Sequence, residues 1–145
     1  MYLIDTNVIS EARKGKTANP GVVAFFQQCL AQEHRIYLSV VTVGELRRGV
    51  DLIRHRGDAP QAERLEVWLQ EVVEGYRDFI LPFDLDAAQV WGRLRVPSPE
   101  HTLDKQIAAT ALIHDLTLVT RNLADFQRTG VRLLNPFSDA TPDPS

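Results

Sequence analysis

Tyr2-Leu3-Ile4-Asp5-Thr6-Asn7-Val8-Ile9-Ser10 opens on an apolar run of strand length, breaks at an acid and resumes with helical spacing. Asp-Thr-Asn is capping chemistry, so the stretch predicts a strand that hands over to a helix beginning near Asn7. A strand leaving through an acid is also how an open parallel sheet presents a ligand crevice, at the carboxyl ends of its strands. Taken alone, Asp5 reads equally well as a helix cap and as a functional acid.

Working outward, further strand-length runs stand at Ile36–Leu38, Phe79–Leu81, Leu118–Val119 and Val131–Leu134, and longer stretches of helical period separate them. Asn19-Pro20 predicts an N-cap followed by proline at the first helical position, opening a helix toward Gln32. From Val40 the residues Val43, Leu46, Val50 and Ile53 keep helical spacing. Gly57-Asp58-Ala59-Pro60 then turns the chain into a second amphipathic helix with Ala62, Leu65, Leu69, Val72 and Val73 inward, so a helical hairpin is expected up to Tyr76. Ala87, Trp91 and Leu94 mark a short helix ended by Val96-Pro97-Ser98-Pro99. Leu103, Ile107 and Ala111 recur every four residues in the next helix, where Ala108-Ala109-Thr110-Ala111 is small enough for close approach to a sheet. The alternation predicts an α/β fold with a mostly parallel sheet.

Four acidic positions start where such a sheet places its crevice. Asp5 follows the first strand, and Glu45 lies in the first turns of the helix after the second, on a face with Val41, Gly49 and Leu52. Asp104 opens the small-residue helix. After Leu118-Val119-Thr120 the chain reads Arg121-Asn122-Leu123-Ala124-Asp125-Phe126, which offers Asn122 or Asp125. Each has a plain alternative: an ion pair with Arg48 for Glu45, dipole compensation for Asp104, a cap for Asn122, a first-turn acid for Asp125. Their convergence points elsewhere, because several carboxylates brought together repel and raise one another's pKa. Hard divalent cations such as Mg²⁺ or Mn²⁺ relieve that repulsion, and the chemistry they suggest is metal-assisted hydrolysis of a phosphodiester. Thr6, Asn7, Ser39 and Thr120 are neutral polar groups expected nearby to hold water or phosphate oxygens.

Composition narrows the alternatives. At 145 residues with 44% apolar content the chain makes one domain, and 16 Lys+Arg against 19 Asp+Glu is not the basic excess of a nonspecific nucleic-acid coat. One cysteine, Cys29, excludes an intramolecular disulfide and a cysteine zinc site, and favours a reducing, cytoplasmic setting. No basic-then-apolar leader and no long apolar segment is present, so no membrane association is expected. A Walker-type loop is also missing. Arg47, Arg48, Arg54, His55, Arg56 and Arg64 concentrate positive charge in the hairpin and read mainly as a salt-bridged surface. Trp68 and Trp91 read as packing residues rather than base-stacking ones, and His101 as a surface histidine. Arg121 is either a phosphate contact or an ion-pair partner of the acids.

Leu3-Ile4-Asp5-Thr6-Asn7-Val8-Ile9-Ser10, Leu38-Ser39-Val40-Val41-Thr42-Val43-Gly44-Glu45-Leu46, Asp104-Lys105-Gln106-Ile107-Ala108-Ala109-Thr110-Ala111 and Leu118-Val119-Thr120-Arg121-Asn122 come in the order and spacing of one family. The chain resembles PIN domains of the VapC/FitB toxins from Tyr2 to about Phe137, including the closing Leu134-Asn135-Pro136-Phe137. The resemblance implies a three-layer α/β/α sandwich over residues 1–137, leaving a polar C-terminal tail over 138–145. It implies an Mg²⁺- or Mn²⁺-dependent endoribonuclease, the toxin of a type II toxin–antitoxin pair, cutting tRNA or other RNA. It further implies a homodimer and a small cognate antitoxin, VapB-like, laid across the acidic groove. Position by position, Asp5, Glu45 and Asp104 match the family's metal-binding and catalytic acids, with Thr6, Asn7, Thr120 and Arg121 beside them. The family's next acid falls where this chain has Asn122, so Asp125 is expected to substitute or the site to hold one metal. Two other readings stay open: an Asp-nucleophile phosphohydrolase acting through Asp5, which lacks the acid such enzymes carry two residues on, and a catalytically silent module that binds RNA or a partner.

Overall fold

In the computed structural model, which describes residues 1–138, β1 (Tyr2–Ile4) lies at the middle of a five-stranded sheet. β2 (Ile36–Ser39) and β3 (Ile80–Leu81) extend the sheet on one side, β4 (Thr117–Val119) and β5 (Leu133–Leu134) on the other, in the order β3-β2-β1-β4-β5. Every pairing is parallel, so the sheet among the described residues is wholly rather than mostly parallel. Leu3 stands opposite both Tyr37 and Leu118, and Ile4 opposite Val119. Because strand side chains alternate, that register sends Leu3 and Leu118 to one face and Ile4 and Val119 to the other.

Each face has its own core. Ile4, Leu38 and Val119 meet α1 (Thr6–Ala12), α2 (Pro20–Ala31), α3 (Val40–His55) and α4 (Ala59–Gly75) through Val8, Val22, Phe25, Leu46, Val50 and Leu69. Leu3 and Leu118 meet α5 (Leu85–Leu94), α6 (Thr102–Ile113) and α7 (Leu123–Phe126) through Leu94, Ile107, Ala108, Ala111 and Phe126. This is the expected three-layer sandwich, and the short strands suffice because both faces are covered.

The Asn19 cap sits where the sequence puts it, and the structure adds others. Asn19 accepts from the Gly21 amide with Pro20 at the first position of α2, and Asp58 and Asp84 cap α4 and α5. Ser39 accepts from the Val41 amide, so it caps α3. Three local expectations shift. Phe79 lies in a 3₁₀ turn (Arg77–Phe79) before β3, the last strand starts at Leu133 rather than Val131, and Leu103 is exposed in the first turn of α6. Lys105 is the residue of that turn that is buried, and past it α6 is buried continuously from Ile107 to Ala111 between the sheet and α5. Of the tail expected over 138–145, Ser138 is bound to the Asn19 side chain, and residues 139–145 lie outside the described residues.

The connection through α5 and α6 carries the chain from β3, at one edge, back past β1 to β4. The order of strands therefore reverses between β1 and β4, and in open parallel sheets the crevice at such a reversal is the binding site.

Candidate metal centre

Asp5 leaves β1 at this crevice and Thr120 leaves β4 beside it. Asp5 caps α1, its Oδ1 accepting from the Thr6 amide at 2.8 Å. Its Oδ2 accepts from the Thr120 hydroxyl at 2.8 Å and from the Asn7 amide nitrogen at 3.3 Å. The cap and the functional reading of Asp5 are thus one arrangement. Asn7 completes the frame, because its amide oxygen accepts from the Arg121 backbone N–H at 3.2 Å and ties the exit of β4 to the start of α1. With the carboxyl only 4% exposed, burial pushes its pKa up, against the Thr120 and Thr6 hydrogen bonds, and the charge of Asp125 pushes further.

Thr6 also reaches the second acid. Its hydroxyl donates to Glu45 Oε1 at 2.8 Å, with Thr42 Oγ1 3.3 Å away. Glu45 sits in α3 facing the domain, its pKa raised by burial and by the Asp5 charge and opposed by the Thr6 hydrogen bond. No ion pair with Arg48 forms, so the plain alternative for Glu45 is absent among the described residues.

Asp104 is the group on which the others act. Burial raises its carboxyl first, the charges of Asp5, Asp125 and Glu45 add to the rise, and His101 opposes it, for a pKa of about 6. Four carboxylates from β1, α3, α6 and α7 thus share one electrostatic neighbourhood. Asp125 belongs to it, and Asn122 does not: Asn122 is exposed at the start of α7 with no capping bond, and only its backbone N–H contributes, donating to Thr120 Oγ1 at 3.1 Å.

His101 is the residue whose place the sequence did not reveal. Its Nδ1 lies 3.8 Å from Asp104 and its Nε2 3.9 Å from Asp125. Ligand atoms of these three side chains lie within 4.8 Å of one another. The available signal was its position three residues before Asp104, but a left-handed backbone (φ 57°) at the start of α6 sets its direction, and outside glycine that conformation is uncommon enough, even for histidine, that a short stretch of sequence does not announce it.

Other positions resolve differently. Arg121 stacks its guanidinium 4.8 Å over the Phe137 ring and forms no ion pair with the four acids. Arg47 makes a bidentate pair with Glu66 at 2.7 Å, and Arg54 joins Asp51 and Glu66, so part of the hairpin charge is internally matched. Trp68 packs on the first core, and Trp91 donates to the Thr102 carbonyl with Arg95 across its ring.

The donor set fits a hard divalent cation. All ligands except one imidazole are carboxylates, and Asp104 and Asp125 accept no hydrogen bond among the described residues, which leaves their oxygens available. Asp5 and Glu45 are instead held in place by Thr6, Asn7 and Thr120, the orientation by hydrogen bonding that metal-binding carboxylates commonly receive.

Comparison with known proteins agrees with this geometry. A PIN domain family model matches residues 2–131. The chain is 37% identical over 145 residues to Toxin FitB of Neisseria gonorrhoeae, covering 96% of this chain and 100% of that protein. It is 31% identical over 149 residues to the VapC ribonuclease Y4jK of Sinorhizobium fredii, covering 97% and 100%. The crystal structure of FitAcB from Neisseria gonorrhoeae superposes with a TM-score of 0.80 at 34% identity, covering 94% of this chain and 98% of that one. With the strand order, the acids at the sheet reversal and these likenesses in agreement, the chain belongs to the PIN-domain family, among the VapC/FitB toxins.

Proposed function

We propose that this chain is a Mg²⁺- or Mn²⁺-dependent endoribonuclease, the toxin of a type II toxin–antitoxin pair, with Asp5, Glu45, Asp104 and Asp125 as its metal-binding and catalytic acids. The observation that carries this reading is the convergence of four carboxylates at the sheet reversal, where burial and then the charges of Asp5, Asp125 and Glu45 raise Asp104 to about 6. The names of the similar proteins, a toxin and a VapC ribonuclease, support the same activity. When bound, the cation supplies an activated water and neutralises charge on the phosphodiester. The chain's own residues set the geometry. Thr6 fixes Asp5 and Glu45 relative to each other, Thr120 and Asn7 fix Asp5 against β4, and Asp104 and Asp125 present free oxygens from α6 and α7. Asn122 falls outside this set, and Arg121 supports it through its backbone.

Hydrolysis by water fits better than attack by Asp5, because hydrogen bonds to both of its oxygens hold the carboxylate in place rather than leave it free to move onto a phosphorus. The substrate class is RNA, with tRNA the first to try. The partners that accompany this activity are a cognate antitoxin and a second copy of the chain, in the cytoplasm. No helix among the described residues is long and apolar enough to cross a membrane. The test is cleavage of a small-RNA pool by antitoxin-free protein in Mg²⁺ or Mn²⁺, beside chelator and Asp104→Asn lanes. Discrete fragments that vanish in both controls are expected. Full cleavage by Asp104→Asn overturns the site, and no cleavage by folded, metal-supplemented protein overturns the activity.

A further inference from the structure

Lys105 directly follows Asp104, yet it forms no ion pair with that acid among the described residues. Its side chain, 7% exposed, lines a cleft of about 300 Å³ between the α5–α6 connection and the segment from α7 onward. Its Nζ donates to the Ser98 carbonyl, and no carboxylate pairs with it among the described residues. Arg128 lines the same cleft, exposed and likewise without an ion pair among the described residues. Its one acceptor is a neutral carbonyl, so an anion entering the cleft would supply the charge-assisted hydrogen bond that the Lys105 ammonium lacks. Two walls of the cleft, His101 and Asp125, are shared with the acidic centre, so an anion held there lies alongside the reacting group. Glu100 also lines the cleft without pairing to either cation.

We propose that this cleft is the subsite for an RNA phosphate flanking the scissile one, bound by the Lys105 ammonium and the Arg128 guanidinium. The inference rests on the ribonuclease reading and deepens it. The acids hold the cation and the reacting phosphate, while Lys105 and Arg128 fix the register of the strand over them. The apolar side of the cleft, Leu94 and Val96, faces the ribose and base that the held phosphate brings with it. Both residues are positioning residues, because they touch a phosphate that does not react.

The experiment is binding of a labelled single-stranded oligoribonucleotide to the full chain in chelator over a salt series, followed by anisotropy, for the parent, Lys105→Met and Arg128→Ala. Each variant is expected to bind more weakly and to flatten the slope of log K against log salt by about 0.7, the contribution of one phosphate contact on a single strand. In cleavage with Mn²⁺ the loss then falls on KM rather than kcat. A merely structural role for Lys105 leaves the salt slope unchanged, and Arg128, being exposed, can be replaced without disturbing the core. Parental slopes in both variants, with the parent still binding and cutting RNA, overturn the subsite alone and reassign the cleft to an acidic segment of a protein partner. A parent that neither binds nor cuts RNA overturns the ribonuclease reading as well.

Discussion

Asp104 links electrostatics to stability at the scale of one residue. Its folded pKa of about 6 stands above the ordinary 3.8, so between those values the folded chain binds the extra proton. The stability it contributes is full below the lower value and is lost as pH rises through the higher one. In chelator, Asp104→Asn should therefore be more stable than the parent at about pH 7, by on the order of 1–2 kcal/mol, and the gap should narrow to roughly half by about pH 5 and close toward about pH 4. Thermal melts of the two proteins across that range check the sign, and a gap independent of pH would remove the repulsion argument. The choice between Asn122 and Asp125 is also made residue by residue. Asp125→Asn should lower metal-dependent cleavage by roughly 10–100-fold, whereas Asn122→Ala, which removes an exposed side chain without a hydrogen bond, should stay near the parent. Initial rates on one RNA decide it, and the reverse ranking would return the fourth position to Asn122.

The join of the C-terminal segment to α2 is decided by elements rather than single side chains. Asn19 caps α2, and its side chain also binds the Ser138 backbone in both directions. A Cβ on Gly21 would collide with the Pro136 carbonyl oxygen, a backbone atom that cannot swing aside. Gly21→Ala should therefore cost about 1–3 kcal/mol and loosen the segment that carries Phe137 beneath Arg121. Gly49→Ala in α3 meets open space and should instead stabilise by about 0.5–1 kcal/mol, since it only removes the backbone freedom of an unfolded glycine. Denaturant midpoints of the two variants should move in opposite directions, and a Gly21→Ala midpoint at or above the parent's would show that the segment is not docked there in solution.

For the whole molecule, the acidic cluster makes the metal-free fold carry unbalanced charge at its sheet reversal, and a cation bound there stabilises the folded state by linkage. At about 100 times its dissociation constant the gain is about 2.7 kcal/mol. For a domain of this size that is roughly 5–10 °C in melting temperature. Mg²⁺ and Mn²⁺ titrations followed by differential scanning fluorimetry should show the rise in the parent and little of it in Asp104→Asn. No shift at saturating metal in the parent would count against a cation held by these acids.

The layering and the strand-to-helix handovers were legible in the amino-acid sequence because each is written in local pattern, and Asp5, Glu45 and Asp104 stood out as candidates at the ends and starts of those elements. Apolar runs of strand length, the Asn19-Pro20 cap and a helical period around Glu45 bias the backbone within a few residues. The boundaries of β3 and β5 were less legible, since two-residue strands take their identity from the neighbours they pair with. The fold alone decided which polar residues face the crevice from irregular backbone. His101 turns in on a left-handed residue, Asp125 enters one turn after Asn122 points away, and Lys105 is buried while Leu103, two residues earlier, is exposed. Those directions depend on how the α5–α6 connection and α7 dock against the sheet. Docking of that kind is set by contacts between segments far apart in the chain, which no short stretch of sequence encodes.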